Sequence, residues 1–260
     1  MVHAKVTDAA ALRSLIHAFP GGDFYEPLYL EADTSGLSLL SILRSRSLIS
    51  RLHLQRSAFA ALSGKAASLG ISTAKWTRAM ELIPLSDGSS AEGIELELSI
   101  EAKEVDVLVR VKETEIRYAL RAEEPGTKGF PKYLPDPKNL PHAFGIDARI
   151  LHEAKRPFED KSVELVTLDL QKDRLAVLPW PDPESMSYVN RAVKAGKPGK
   201  THLLTTHLVE AARFSYGMRT VGGGLTADIA IVEGGLLMVR YKFEGGDLTH
   251  WIVPSAEPKR

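Results

Sequence analysis

Cysteine is absent from these 260 residues, which excludes disulfides and thiolate chemistry and suits a reducing compartment. Net charge is missing too, because 33 Lys and Arg balance 33 Asp and Glu. That balance excludes a globally basic nucleic-acid binder but leaves room for a local basic surface. No run approaches the roughly 20 apolar residues needed to cross a bilayer. The opening MVHAKVTDAAALRSL has no basic segment followed by an apolar run, so no signal peptide is expected. The 44% hydrophobic and 25% charged residues fit an ordered globular chain, long enough for one large domain or two of about 120 residues.

What the chain does have, near its midpoint, is PGTKGFPKYLPDPKNLP (125–141), with five prolines and two glycines in seventeen residues. No helix interior or central strand tolerates that composition. The two flanks read alike. Before it, TDAAALRSLIHAF (7–19) places Leu12, Leu15, Ile16 and Phe19 on one helical stripe, with Thr7 or Asp8 as N-cap. A hairpin turning at Thr34-Ser35-Gly36 follows, then a strand over 47–59. Next comes a helix over 72–83 carrying Trp76, Met80 and Ile83, and then three alternating strands (94–100, 105–111, 115–122).

After the segment, 147–158 reads as a helix with Ile150, Leu151 and Ala154 inward. A hairpin over 162–180 and a strand over 185–193 follow, then a helix over 205–216 with Leu208, Val209 and Ala212 inward. A three-strand meander turns at Gly234-Gly235 and Gly245-Gly246. Each half thus reads helix, hairpin, strand, helix, three strands. The expected organisation is α+β: domain 1 over 1–124, a connecting loop over 125–141, and domain 2 with its tail over 142–260.

Four stretches carry a resemblance: TSGLSLLSILRSRSLISRLHL, KTHLLTTHLVEAARFSYGM, GFPKYLPDPKNLP and the ending GGLLMVRYKFEGGDLTHWIVPSAEPKR. In order and spacing they resemble the PCNA-type sliding clamps, the ring-forming processivity factors of archaeal and eukaryotic replication. The resemblance implies two similar clamp domains, each with two helices on antiparallel sheets. Three subunits would close head to tail into a ring around duplex DNA. It implies no catalytic residue, cofactor or metal, and a place on DNA in an archaeal-type cytoplasm or a eukaryotic nucleus.

The same resemblance assigns candidate sites. The helices bring seven cations, Arg13, Lys75, Arg78, Arg149, Lys155, Arg156 and Arg213, against five acids, Asp8, Glu81, Asp147, Glu153 and Glu210, a surplus of two. Arg13 with His17, Lys75 with Arg78, and His152 with Arg156 fall three or four apart, so each pair shares a face. Arg13, His17, Lys75, Arg78, Arg149, Arg156 and Arg213 would touch phosphates without reading bases. A pocket for short partner peptides would use Ile42, Ser47, Phe130, Leu134, Leu236, Val253 and Pro254. Through it would come DNA polymerase, ligase and flap nuclease, with a clamp loader to open the ring. Subunit edges would hold Ile116, Tyr118, Leu120, Met186 and Tyr188. The family usually carries an acidic residue where Leu43 stands here, followed by Arg44 and Arg46.

Other signals are weak. VGGGLTAD (221–228) precedes a strand and has no following Lys-Ser/Thr, so it fits neither phosphate-loop pattern. The eight histidines have no metal-ligand spacing, and no Gly-x-Ser-x-Gly elbow occurs. Two further readings stand beside the clamp. One is a subunit of a heterotrimeric or checkpoint-type clamp. The other is a two-domain β-rich ligand-binding protein or hydrolase, which a deep polar cleft with clustered acids would favour.

Overall fold

The computed structural model describes residues 1–20, 24–83, 94–125, 134–136, 143–158, 163–172, 174–180, 187–191, 196–217 and 225–255. Along the first half run β1 (Val2–Val6), α1 (Ala9–Ala18), β2 (Leu28–Asp33), β3 (Gly36–Ile42), β4 (Leu48–Gln55), β5 (Phe59–Gly64) and β6 (Ala67–Ile71). They continue with α2 (Thr73–Glu81), β7 (Ile94–Ile100), β8 (Glu104–Val111), β9 (Thr114–Arg121) and β10 (Glu124–Pro125). The second half holds β11 (Phe144–Asp147), α3 (Ala148–Lys155), β12 (Leu165–Gln171), β13 (Arg174–Trp180), β14 (Tyr188–Asn190) and β15 (Gly199–Leu204). It ends with α4 (Thr205–Gly217), β16 (Thr226–Ile231), β17 (Leu237–Phe243) and β18 (Gly246–Ile252).

The chain divides into two compact units. One comprises Met1–Arg44, Ser50–Pro131 and Glu244–Asp247; the other comprises Ser45–Ile49, Lys132–Phe243 and Leu248–Arg260. In the first, one sheet runs β5-β1-β7-β8-β9 and a second run of strands is β10-β6-β2-β3-β4. In the second, the orders are β15-β12-β13-β14 and β11-β16-β17-β18. Set side by side, β6-β2-β3-β4 corresponds to β15-β12-β13-β14, and β1-β7-β8-β9 corresponds to β11-β16-β17-β18. The topology therefore occurs twice. Each repeat opens with a strand and places at least four strands between its helices, which the pattern of helices, hairpins and meanders did not anticipate.

Alternation explains the first sheet. Leu96, Leu98 and Ile100 of β7 pair with Val109, Val107 and Val105 of β8, and all six are buried. Val6, Ala4 and Val2 extend the same rows on the other side. The opposite face is a ladder of charges: Lys5 reaches Glu95 at 2.9 Å, and Arg110 bridges Glu97 at 3.0 Å and Glu115 at 2.9 Å. Such exposed pairs add little stability each. They keep that face in water while the apolar rows face inward.

Helix boundaries follow capping chemistry. Asp8 accepts the Ala11 amide at 2.8 Å, Ser72 the Lys75 amide at 3.4 Å, and Asp147 the Arg149 amide at 2.9 Å. Each cap satisfies one amide that the first turn leaves without a helical partner. Leu12, Leu15, Ile16 and Phe19 from α1, with Trp76, Met80 and Ile83 from α2 and its end, are buried as their spacing requires. Helix α1 packs on α2, and α3 on α4. In the second unit Ile150, Leu151, Ala154, Leu208 and Ala212 are buried, whereas Val209 is only half-buried. Buried Tyr241 of β17 donates to the Ala211 carbonyl at 2.7 Å, fastening that strand to α4.

Candidate functional site

The helix faces are the first candidate surface, and their charges are largely spoken for. The Arg13 guanidinium donates to the Ile83 carbonyl just past α2, and its Nε also meets His17 Nε2 at 3.4 Å. Arg13 is half-buried there, a clasp between helices more than a free cation. Lys75 pairs with Glu123 at 3.2 Å. Arg149 folds back on Asp147 at 2.6 Å, and Arg213 stands 4.0 Å from Glu210. Lys155, counted among the helix cations, is only 9% exposed and has a partner of its own, so it drops out of any solvent-facing set. Arg78, Arg156 and His17 remain exposed. Arg78 and Arg156 form no ion pair among the described residues. Each helix pair therefore keeps an exposed arginine beside local ion pairs.

The second candidate is built on the tail of the second unit. The Val253 amide donates to the Ser47 carbonyl at 2.8 Å, and the Ser255 amide to the His202 carbonyl at 2.9 Å. These bonds hold Val253-Pro254-Ser255 extended. Thr201 Oγ1 donates to the Gly235 carbonyl at 2.6 Å, which fixes the turn before β17. Gly235 has φ +78, and a Cβ there would lie 3.5 Å from the Pro254 ring, so the turn and the proline are neighbours. Leu236, next in sequence, is half-buried, while Val253 keeps 39% of its surface in water.

Ser47 is a hub in this unit. Its hydroxyl meets Ser45 Oγ at 2.6 Å and His207 Nε2 at 3.2 Å. Burial lowers the His207 pKa, so the ring is neutral near pH 7, and its Nδ1 has no partner among the described residues. Nothing in the sequence pointed to His207 as a support for the tail, because it lies 160 residues from Ser47. Trp251 Nε1 of β18 donates to the Pro135 carbonyl at 3.1 Å, and Leu134 beside that proline is 8% exposed. Ser47, Leu236, Val253 and Pro254 thus come together, and Leu134 is anchored in the same unit. Ile42 ends β3 in the other unit, 6% exposed, its carbonyl accepting the Glu26 amide at 2.8 Å. Phe130 lies outside the described residues.

The edge candidates divide. Strand β9 is the last strand of its sheet, and Glu115, Ile116 and Arg117 stand exposed along it, with Tyr118 half-buried. Leu120 is different: it pairs with Val105 and is 1% exposed, so its side chain belongs to its own core. An edge there offers backbone, not the leucine. Strand β14 also ends its sheet, with Val189 47% exposed and Tyr188 linked to Glu153 of α3 at 3.4 Å. Met186 lies outside the described residues.

A cleft of about 320 Å³ in the first unit is lined by alanines and by Glu31, Asp33, Ser38, His53 and Ser68. Ser38 Oγ and His53 Nδ1 are 2.9 Å apart, a pairing that invites a nucleophilic reading. Asp33, however, uses its carboxylate on the Ser35 amide, the Ser35 hydroxyl and the Gly36 amide, closing the β2–β3 turn. Those bonds, led by the Ser35 hydroxyl, lower its pKa. The acid is spent on the turn and does not orient the imidazole as a third triad member would. Among the described residues no three His, Asp or Glu side chains gather as a metal site requires. Nor is any described helix long and apolar enough to cross a membrane.

Against solved structures, the chain is similar to the crystal structure of proliferating cellular nuclear antigen from Entamoeba histolytica. The TM-score is 0.75, with 98% of this chain and 99% of that chain covered, at 13% identity. No protein-family model matches the sequence, and no curated protein sequence matches it. At that identity the likeness shows the fold: this chain has the α+β fold of PCNA-type clamps over almost its whole length.

Proposed function

We propose that the chain is a subunit of a DNA sliding clamp, a non-catalytic ring that encircles duplex DNA and tethers replication and repair enzymes. One observation carries the reading: the clamp topology is repeated twice in one chain and leaves strands β9 and β14 at the ends of their sheets. Unpaired edges invite another chain. Pairing β9 of one copy with β14 of the next is a heterologous contact, and such contacts make closed rings when the rotation allows. Ile116 and Val189, both exposed on those edges, would be covered by it.

The helix cations then face the duplex. Arg78 and Arg156 supply screened, sequence-independent contacts beside the His17 ring, while Lys75, Arg149 and Arg213 sit in exposed pairs that phosphates can compete for. A weakly basic lining lets a ring slide instead of gripping. The extended tail around Val253 and Pro254 receives short peptides of polymerase, ligase or flap nuclease, and a loader opens the ring. Two copies of the domain per chain make three chains sufficient for a ring of six domains.

Topology distinguishes a clamp from an ordinary DNA binder. The protein, loaded with its loader on closed circular DNA, is expected to stay through a salt wash and to leave once the circle is linearised. Equal retention on both forms would sink the proposal. Light scattering supplies the second reading: a mass three times 28.5 kDa marks a homotrimer. A monomer that trimerises only with other chains marks a heterotrimer subunit.

A further inference from the structure

One row of polar side chains crosses four neighbouring strands of the first unit, β6-β2-β3-β4. Glu31 of β2 stands directly opposite Ser38 of β3 on one side and Ser68 of β6 on the other. Ser38 Oγ in turn meets His53 Nδ1 of β4 at 2.9 Å. Asp33, two residues along β2, lies on the same face as Glu31, because side chains alternate along a strand. These five residues line the cleft of about 320 Å³, and Gly36, Ala66 and Ala67 help to complete it. Glycine, serine and alanine leave open a space that longer side chains would fill.

The charge of this lining is one-sided and uncompensated. No Lys or Arg takes part in it, and Arg51 and Lys65, near His53 and Ala66 in sequence, stay outside it. Glu31 is exposed and makes no hydrogen bond or ion pair among the described residues. The three bonds that close the β2–β3 turn all fall on Asp33 Oδ1, so Oδ2 accepts none among the described residues. The Ser35 hydroxyl bond, first among them, lowers the Asp33 pKa, so the charge persists at neutral pH. Acids on the neighbouring sheet are treated differently: Glu95, Glu97 and Glu115 are answered by Lys5 and Arg110.

We infer that this cleft binds a primary alkylammonium group, the chemistry carried by a lysine side chain or a linear diamine. An ammonium has three donors, which Glu31, Asp33 Oδ2 and a serine hydroxyl can accept. Its methylene stem then lies along the alanines, as the stems of long cationic side chains do on apolar surface. A volume near the low end for ligand sites suits one slender chain. Two carboxylates repel phosphates, so the cleft is no nucleic-acid contact. A divalent ion is the poorer fit, because no three His, Asp or Glu side chains gather among the described residues. The site lies within one unit, so it stands or falls independently of ring closure.

The test uses the full chain and three probes: putrescine, the blocked peptide Gly-Lys-Gly, and butanediol, which has the carbon chain of putrescine without its charge. Calorimetry reads affinity, and amide hydrogen exchange reads location. Both cations are expected to bind at low salt and butanediol to fail, with slowed exchange confined to residues 31–38, 53 and 66–68. Glu31→Gln should weaken both cations about tenfold. Glu113→Gln, at an exposed acid outside the cleft, should change neither. Both side chains are exposed, so unchanged thermal melts certify the variants. Tighter binding of the peptide assigns the cleft to a lysine of a partner protein, and tighter binding of putrescine assigns it to a free polyamine. The proposal is overturned if neither cation binds, if butanediol binds as well as putrescine, or if protection falls elsewhere. Equal weakening by Glu31→Gln and Glu113→Gln would reduce it to diffuse surface charge and overturn it too. So would calcium bound more tightly than either cation and lost in Glu31→Gln, which would mark a metal site.

Discussion

Arg13 on α1 donates its guanidinium to the carbonyl of Ile83, seventy residues away and just beyond the end of α2. A carbonyl at a helix C-terminus has no helical partner and sits at the negative end of the dipole, so a cation there is doubly favoured. Arg13→Ala should therefore lower stability by about 1–2 kcal/mol, read from urea denaturation. Arg78→Ala, at an exposed residue with no ion pair among the described residues, should leave stability within about 0.5 kcal/mol and weaken retention on circular DNA. The two arginines look alike in sequence, and the pair of variants separates a clasp from a phosphate contact. Equal denaturation midpoints for both variants would refute the distinction.

Asp147 does two things at once: it caps α3 through the Arg149 amide and neutralises the Arg149 side chain at 2.6 Å. Asparagine keeps the first and abandons the second. Asp147→Asn should preserve stability while releasing one cation toward DNA. The logarithmic salt dependence of DNA binding should steepen by about one. An unchanged slope would place Arg149 away from the duplex.

His250 is buried completely on β18, its ring edge-on to Tyr241 at 5.9 Å between centroids. Burial depresses its pKa to about 3 from 6.5. The unfolded chain therefore binds a proton that the folded chain refuses. This contribution to stability is complete above pH 6.5 and is lost as pH falls from 6.5 toward 3. The slope approaches about 1.4 kcal/mol per pH unit. His207, lowered by the same cause, acts with the same sign. Between pH 7.5 and 5 the wild type should lose about 2–3 kcal/mol, and His250→Phe should lose about 1–2 kcal/mol less. A variant that tracks the wild type across this range would exclude His250 as the source.

Much of this architecture is legible in residues 94–122, because apolar and polar positions alternate and each strand lies between a core and water. The helices are legible for the same reason at a different period. Strands β5 and β6 are not: FAALSG and ASLGI are rich in Ala, Ser and Gly, and their extended form depends on pairing with β1 and β2. That is tertiary context overriding weak local preference. Strand β1 hides similarly, since VHAKV is too short to announce itself. Site residues divide along the same line. Arg13 and Lys155 have the helical spacing of surface cations, but a distant carbonyl claims the first and burial takes the second. The Ser47–Val253 bond joins positions 206 apart, beyond any local pattern.

Gly36 opens β3 at a point where a Cβ would lie 2.2 Å from the Leu54 carbonyl oxygen. Backbone cannot yield that distance cheaply. Gly36→Ala should cost more than about 2 kcal/mol, visible as a lowered urea midpoint with unchanged m-value. Gly234 is the control: its φ of +76 strains an alanine, yet nothing lies within 4 Å of the added carbon. About 1 kcal/mol is expected there. Equal losses at both sites would mean that the β3–β4 approach is looser than described.

The proposed ring closure makes its sharpest demand on β9. Ile116, opposite buried Val109 at the edge of an apolar row, keeps 36% of its surface exposed on that strand, and Val189 keeps 47% on β14. A lysine on an edge strand repels a neighbouring chain while its stem still lies along the sheet. Where the wild type is a homotrimer, Ile116→Lys should lower its mass from three copies to one while circular dichroism shows the subunit still folded. Val189→Lys should do the same, and the double variant should add nothing once the edge is already open. If either single variant stays trimeric, the copies meet through some other surface and the pairing of β9 with β14 is lost. Retention on circular DNA must fall in step with mass, because a ring that cannot shut has no topological hold.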